Sequence, residues 1–209
     1  MHPERRLYRS GAAWLLNQLL LPVKLVVPQP VIARIPGLTS NEDIRLGLVL
    51  ERTRGRLLDV GCGTNQLVAR YRAQGGQGVG VDVHPWHGVD HLLEDSGRLP
   101  FEAGSFDTVS FVACLNHIPN RGEALAEARR VLADAGQLLL TNLRPGPSRL
   151  WHAWAFWDRD QHERGMQEGE VWGFEPGALQ DLLSAAGFEL SQRTSFSWGL
   201  NELFVCRPV

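Results

Sequence analysis

At 209 residues the chain can bury one substantial core and reads as a single main domain. Its 44% hydrophobic and 21% charged residues, with 22 glycines and 12 prolines, exclude a disordered or low-complexity chain. A formal net charge of -2 with one lysine and scattered arginines excludes the broad basic field that a nucleic-acid backbone requires, so no nucleic acid is expected as partner.

The opening Met1-His2-Pro3-Glu4-Arg5-Arg6 leads into neither a long apolar core nor a small-residue cleavage site, a poor signal peptide. The stretch from Trp14 to Val27 is apolar, yet Asn17, Gln18, Pro22 and Lys24 interrupt it, and it falls short of the ~20 residues that span a bilayer. Leu15, Leu16, Leu19 and Leu20 stand at helical spacing before Pro22, Pro28, Pro30 and Pro36 break the run. Residues 1–53 are therefore expected to form a helical cap or appendage. Its last helix opens at Ser40, a good N-cap with Asp43 three residues on, and carries Ile44, Leu46, Leu48 and Leu50 toward the main domain.

From Arg56 onward strand-like runs alternate with helical stretches, the signature of an α/β fold with a largely parallel sheet over residues 54–209. The predicted strands are Arg56–Val60, Gly78–Asp82, His91–Glu94, Phe106–Val112 and Gln137–Asn142, with a helix over Asn120–Ala133 between the last two. A Trp-rich, charged insertion follows over about 146–174. A helix then runs from Glu175 to Ala186, stopped by Gly187, and Phe188–Thr194 and Leu200–Cys206 close the fold as an antiparallel hairpin. Cys62, Cys114 and Cys206 are odd in number and widely spaced, which points to a reducing, cytoplasmic setting.

The chemistry is concentrated in Leu57-Leu58-Asp59-Val60-Gly61-Cys62-Gly63-Thr64-Asn65, a buried strand running into a glycine turn and a helix. Glycines there let the backbone approach a ligand at the carboxyl end of the strand, where open α/β sheets bind cofactors. The second strand ends at Asp82, 21 positions beyond Gly61, the distance at which an acidic side chain meets ribose hydroxyls. Gln66 stands where a dinucleotide fingerprint has its last glycine, and no Tyr-x-x-x-Lys is present, so a nicotinamide-dependent oxidoreductase is disfavoured.

Asp59 two positions before Gly61, together with Glu94-Asp95-Ser96, Leu99-Pro100-Phe101 and Ser105-Phe106-Asp107-Thr108-Val109, resembles the class I S-adenosylmethionine-dependent methyltransferases over roughly Arg56 to Asn142. Asn65 departs from the family, which commonly has a third glycine there, although asparagine tolerates left-handed backbone angles. The resemblance implies a Rossmann-like, seven-stranded, mostly parallel sheet with helices on both faces and an antiparallel last strand. It also implies S-adenosylmethionine as cofactor. By that likeness Asp59, Gly61, Cys62, Gly63 and Asn65 shape the methionine site, Asp82 holds the ribose, and Asp95 and Ser96 take the adenine. Val83 and Trp86 follow Asp82 and are placed against the adenosine, the alternative for Trp86 being a surface turn built on Pro85. Asn116 and His117 face the methyl-transfer centre, where His117 would orient or deprotonate the acceptor. Cys62 is read as a small filler in the turn rather than a nucleophile, and Asp107, at the start of its strand, as structural.

The insertion mixes aromatic and charged residues and is expected to form a lid, with Trp157, Asp158 and His162 toward the substrate. Asp158, Asp160, His162 and Glu163 are read as a charged helix face with internal ion pairs rather than as a metal site, so no metal is expected. Asp160-Gln161-His162-Glu163-Arg164-Gly165-Met166 and Gly169-Glu170-Val171-Trp172-Gly173-Phe174 are similar to a bacterial subgroup of methyltransferases, a likeness that names no substrate. The acceptor class that remains is a small molecule or a lipid-linked one. The apolar N-terminal stretch suits peripheral contact with a membrane surface, and equally a helix covering the cofactor pocket. A non-catalytic, cofactor-binding partner protein is the competing reading, opposed by the intact Asp59, Gly61, Gly63 and Asp82.

Overall fold

The structure is a computed structural model that describes residues 2–146, 149 and 168–209. Seven strands form one sheet: β1 Arg56–Val60, β2 Gln77–Asp82, β3 His91–Leu92, β4 Phe106–Val112, β5 Leu132–Leu143, β6 Phe188–Phe196 and β7 Asn201–Pro208. Their spatial order is β3-β2-β1-β4-β5-β7-β6. β1 to β5 run parallel, and β7 lies antiparallel between β5 and β6. The expected architecture and the antiparallel closing hairpin are both present.

Period-two alternation puts successive side chains on opposite faces of the sheet, and both faces are buried. Leu58, Val60, Val109, Phe111, Leu138 and Leu140 face one way, under α6 (Arg121–Val131) and α7 (Pro176–Ala185). Leu57, Leu139, Leu203 and Val205 face the other, under α4 (Asn41–Leu50) and α5 (Gln66–Ala73). Each fully buried leucine contributes about 1.5–3 kcal/mol relative to exposure. The Ser40 cap forms as expected: its Oγ accepts from the Asp43 backbone N–H at 2.9 Å and donates to Asp43 Oδ2 at 2.6 Å. Gly187, at φ +78°, ends α7.

The largest differences from expectation lie at β3 and at the junction of α6 with β5. β3 is only two residues long, because it pairs with β2 solely at Val81–His91 and Asp82–Leu92 and both of its residues are exposed. α6 stops at Val131 rather than Ala133, since Leu132 turns extended and pairs with Phe106; the chain then bulges before Gln137 rejoins β4 at Thr108.

Ahead of α4 lie three short helices, α1 (Gly11–Leu19), α2 (Leu21–Val26) and α3 (Gln29–Ile32). Their Leu21 and Ile32 are buried, and polar groups tie α1 to α2 and to the loop before α4. Asn17 Nδ2 donates to the carbonyls of Ala13 (2.9 Å) and Gly37 (2.8 Å), and its Oδ1 accepts from the Thr39 N–H (2.8 Å) and from Lys24 Nζ (3.3 Å). Burial lowers the Lys24 ammonium to about 8, against the opposing pull of Glu4 and Asp43. No described helix is long and apolar enough to cross a membrane.

Candidate functional site

The carboxyl ends of β1, β2 and β4 meet at the β1–α5 turn. The N–H groups of Gly61 and Cys62 both donate to the Val81 carbonyl, at 2.9 and 3.1 Å, which ties the turn to β2. Gly61 sits at φ +69°, and a Cβ there would lie 2.7 Å from the Cys114 side chain beyond β4, so only glycine fits. Gly63, at φ +53°, has nothing within 4 Å of an added Cβ, because this position opens onto a cleft.

That cleft encloses about 810 Å³, toward the upper end of the ~300–1,000 Å³ typical of small-molecule sites. Asp59, Gly61, Cys62, Gly63, Asp82, Val83, Trp86, Asp95, Ser96, Asn116 and His117 all line it. Asn65 does not. Its backbone adopts the left-handed conformation at φ 58°, but its side chain turns away to donate to the Gly88 carbonyl (2.8 Å) and Asp90 Oδ2 (3.0 Å). Asn65 therefore shapes the turn from behind, bracing it against the loop after β2. Gln29 and Pro30 of α3 and Glu42, Arg45 and Leu46 of α4 close the cleft from the N-terminal segment.

Asp82 is buried and each of its oxygens holds one backbone donor: Oδ2 the N–H of Gly63 and Oδ1 that of His84, both at 2.9 Å. A carboxylate offers about four acceptor sites, so capacity remains for ligand hydroxyls. Asp95 Oδ1 accepts from the Gly97 N–H (2.7 Å) and Asn120 Nδ2 (2.8 Å). These two bonds hold the Asp95 carboxyl below the usual carboxylate range and keep it an acceptor. Trp86 is half-buried and tilts against His84, with ring centroids 4.1 Å apart.

Asp59 is the electrostatic exception. Burial raises its carboxyl to about 7; the Ser110 hydroxyl, donating at 2.6 Å, opposes that rise and the nearby Asp82 charge adds to it. Burial likewise pushes up the thiols of Cys62 and Cys114, with Asp59 and Asp82 reinforcing the shift, so neither is an activated nucleophile. Asp107 accepts from the Arg56 backbone N–H at 2.7 Å at the amino end of β4, away from the cleft.

His117 follows β4 in a short 3-10 turn, and its Nδ1 lies 3.1 Å from Glu170 Oε2, with the glutamate side chain only 1% exposed. Sequence reading missed Glu170, although it falls in the Gly169–Phe174 run singled out above; its partner lies 53 residues away. Backbone contacts on either side set its position. The Val171 N–H donates to the Asn116 carbonyl (2.9 Å), and Asn116 Nδ2 donates to the Val171 carbonyl (3.2 Å). Three residues on, Asn142 Nδ2 donates to the Phe174 carbonyl (2.8 Å) while Asn142 Oδ1 accepts from the Phe174 N–H (3.1 Å). Gly173, at φ +136°, lets this segment pass so close to β5 that a Cβ would meet the Leu143 carbonyl. Trp157, Asp158 and His162 lie outside the described residues. Among the described residues no three His, Cys, Asp or Glu side chains gather to hold a metal.

A family model described as a methyltransferase domain matches residues 40–193. The demethylmenaquinone methyltransferase of Thermus thermophilus is 32% identical over 115 residues, 48% of this chain and 52% of that one. The chain thus spans about half the length of that relative. The ubiquinone biosynthesis O-methyltransferase of Marinobacter nauticus is 24% identical over 74% of each chain. Among solved structures, the Burkholderia thailandensis 1,6-didemethyltoxoflavin-N1-methyltransferase, with its substrate and S-adenosylhomocysteine bound, has the same fold: TM-score 0.57 at 17% identity, over 79% of this chain and 76% of that one.

Proposed function

The chain belongs to the methyltransferase-domain family, the class I S-adenosylmethionine-dependent methyltransferases, and we propose that it methylates a small, largely apolar acceptor bearing an ionisable hydroxyl. The observation that carries the acceptor chemistry is the His117–Glu170 pair at a cleft that also holds the acidic and glycine residues of a cofactor site. A buried carboxylate at Nδ1 favours the Nδ1-protonated tautomer and leaves Nε2 as the basic nitrogen. His117 is then the base that takes the acceptor's proton, and Glu170 is a positioning residue that orients the ring and stabilises the imidazolium.

The remaining roles follow from the groups that line the cleft. S-adenosylmethionine, when bound, supplies a methyl carbon on a good leaving group, so the protein's main task is alignment. Asp82 takes the ribose hydroxyls with its unused acceptor capacity, while Asp95 and Ser96 take the adenine, with Val83 and Trp86 against its faces. The open space at Gly63 fits the methionine portion, with Asp59, Gly61 and Cys62 around it and Asn116 toward the reacting end. Residues 1–53 act as a cap, since α3 and α4 contribute part of the cleft wall. The relatives named for menaquinone and ubiquinone biosynthesis support an apolar aromatic acceptor.

Calorimetric titration with S-adenosylhomocysteine, beside a nicotinamide dinucleotide, tests the core of this reading. Saturable binding of the former alone is expected, weakened about ten- to hundredfold in Asp82→Ala by loss of its charge-assisted bonds. Preference for the dinucleotide would overturn it. Binding without turnover across a panel of phenols and quinols would reduce the protein to a cofactor-binding partner.

A further inference from the structure

Helices α1 to α3 bury Leu21 and Ile32 but leave most of their apolar side chains outside. Their buried sides carry Asn17 and Lys24, each 1% exposed, whereas Leu15, Leu16, Leu19, Val23, Val26 and Val31 stand 45 to 69% exposed. The outward residues follow helical spacing, Leu15 and Leu16 with Leu19 on α1 and Val23 with Val26 on α2, so α1 and α2 each show an apolar side. A contiguous apolar surface of this kind marks contact with a non-aqueous neighbour.

Charge identifies that neighbour. Between residues 2 and 41 the sole acidic side chain is Glu4. It is buried, accepting from Gln18 Nε2 at 2.8 Å and from the Ser197 N–H. Arg6 and Arg9, just before α1, and Arg34, just after α3, are exposed, and of these only Arg6 has an ion-pair partner among the described residues, Glu51 at 2.9 Å. A second copy meeting this face across a two-fold axis would bring the same arginines together; a surface of anionic lipid would satisfy them. Gln29 and Pro30 line the cleft and Val31 follows directly, so the apolar face runs to the cleft's rim.

We propose that the outer face of α1–α3 seats on an anionic lipid bilayer, its leucines and valines entering the headgroup–acyl boundary and its arginines lying at the phosphates, so that a lipid-dissolved acceptor enters the cleft from the membrane side. The acceptor's route rests on the methyltransferase reading; the lipid contact does not.

Flotation with vesicles of equimolar phosphatidylcholine and phosphatidylglycerol tests the contact, with S-adenosylhomocysteine binding measured on the same preparations. The protein is expected to float with these vesicles, less with pure phosphatidylcholine, and at least about tenfold more weakly as the Leu19→Glu, Val23→Glu double variant, with S-adenosylhomocysteine affinity unchanged. Wild-type protein that stays in the aqueous fraction, or a double variant that floats equally well, would overturn the proposal. So would sedimentation as a lipid-free dimer that the double variant splits, because the face would then belong to a second copy. Failure to bind S-adenosylhomocysteine with flotation intact would sink the methyltransferase reading and leave the lipid contact standing.

Discussion

Replacing Asp59 by asparagine should make the protein more stable above neutrality while changing little in acid. The Asp59 carboxyl is buried and its folded value, about 7, exceeds the ordinary 3.8. Folded protein therefore keeps a proton that the unfolded chain releases, and the stability contributed by this group is full below about pH 4 and lost as pH rises through 7. At 1.36 kcal/mol per pH unit, the loss between pH 5 and pH 8 comes to about 3 kcal/mol. Asparagine has the same shape and keeps an oxygen for the Ser110 hydroxyl, yet it does not titrate. Thermal unfolding of both proteins at pH 5 and pH 8 should show the variant's Tm advantage widening by about 6–12 °C, for a domain of this size. Parallel Tm profiles would refute the reasoning, since they would mean that Asp59 ionises in the fold without penalty.

The two glycines of the cofactor turn should fail differently. Gly61→Ala, forced against Cys114 at positive φ, should lose about 2–5 kcal/mol in denaturant unfolding. Gly63→Ala should lose only about 1 kcal/mol, yet weaken S-adenosylhomocysteine binding at least about tenfold in calorimetry, because its methyl enters the cleft. With an acceptor in hand, His117→Ala should lower kcat by about 10²–10⁴. Glu170→Gln should lower kcat with KM little changed, and ring-nitrogen NMR should report loss of the Nδ1-protonated tautomer preference; equal losses in KM would point to a merely structural glutamate. Asn142→Ala, which removes both buried bonds to Phe174, should cost about 2 kcal/mol and lower kcat as well by freeing the segment that carries Glu170.

What was legible in the sequence was what local chemistry determines. Apolar runs located β1 and β4 to the residue, Ser40 announced α4 through its own cap, and Gly187 marked the end of α7. The cleft was legible because β1 to β5 run parallel and bring their carboxyl ends to one edge, so residues just past β1, β2 and β4 had to converge there. What escaped depends on partners distant in sequence. Asn65 carries the expected backbone angle, but the Gly88 and Asp90 groups that claim its side chain become neighbours only on folding. Glu170 looks like one more surface carboxylate until the Asn116–Val171 and Asn142–Phe174 pairs deliver it to His117. The N-terminal leucines announced helices, yet their spacing could not say that Asn17 and Lys24, rather than Leu15, Leu16 and Leu19, would turn inward.

The place of β7 between β5 and β6 bears on how the molecule is made. A strand near the end of the sequence, Asn201–Pro208, occupies the interior of the sheet and zips β5 to β6. While the chain emerges from the ribosome, the nucleotide-type half from β1 to β5 can assemble first, but β5 then shows the solvent a long unpaired edge of apolar backbone, a template for association with other nascent chains. The final closure joins residues far apart in sequence and is intrinsically slow. Loss of this one strand would therefore separate β6 from the sheet and leave β5 bare, turning its deletion into an aggregation defect.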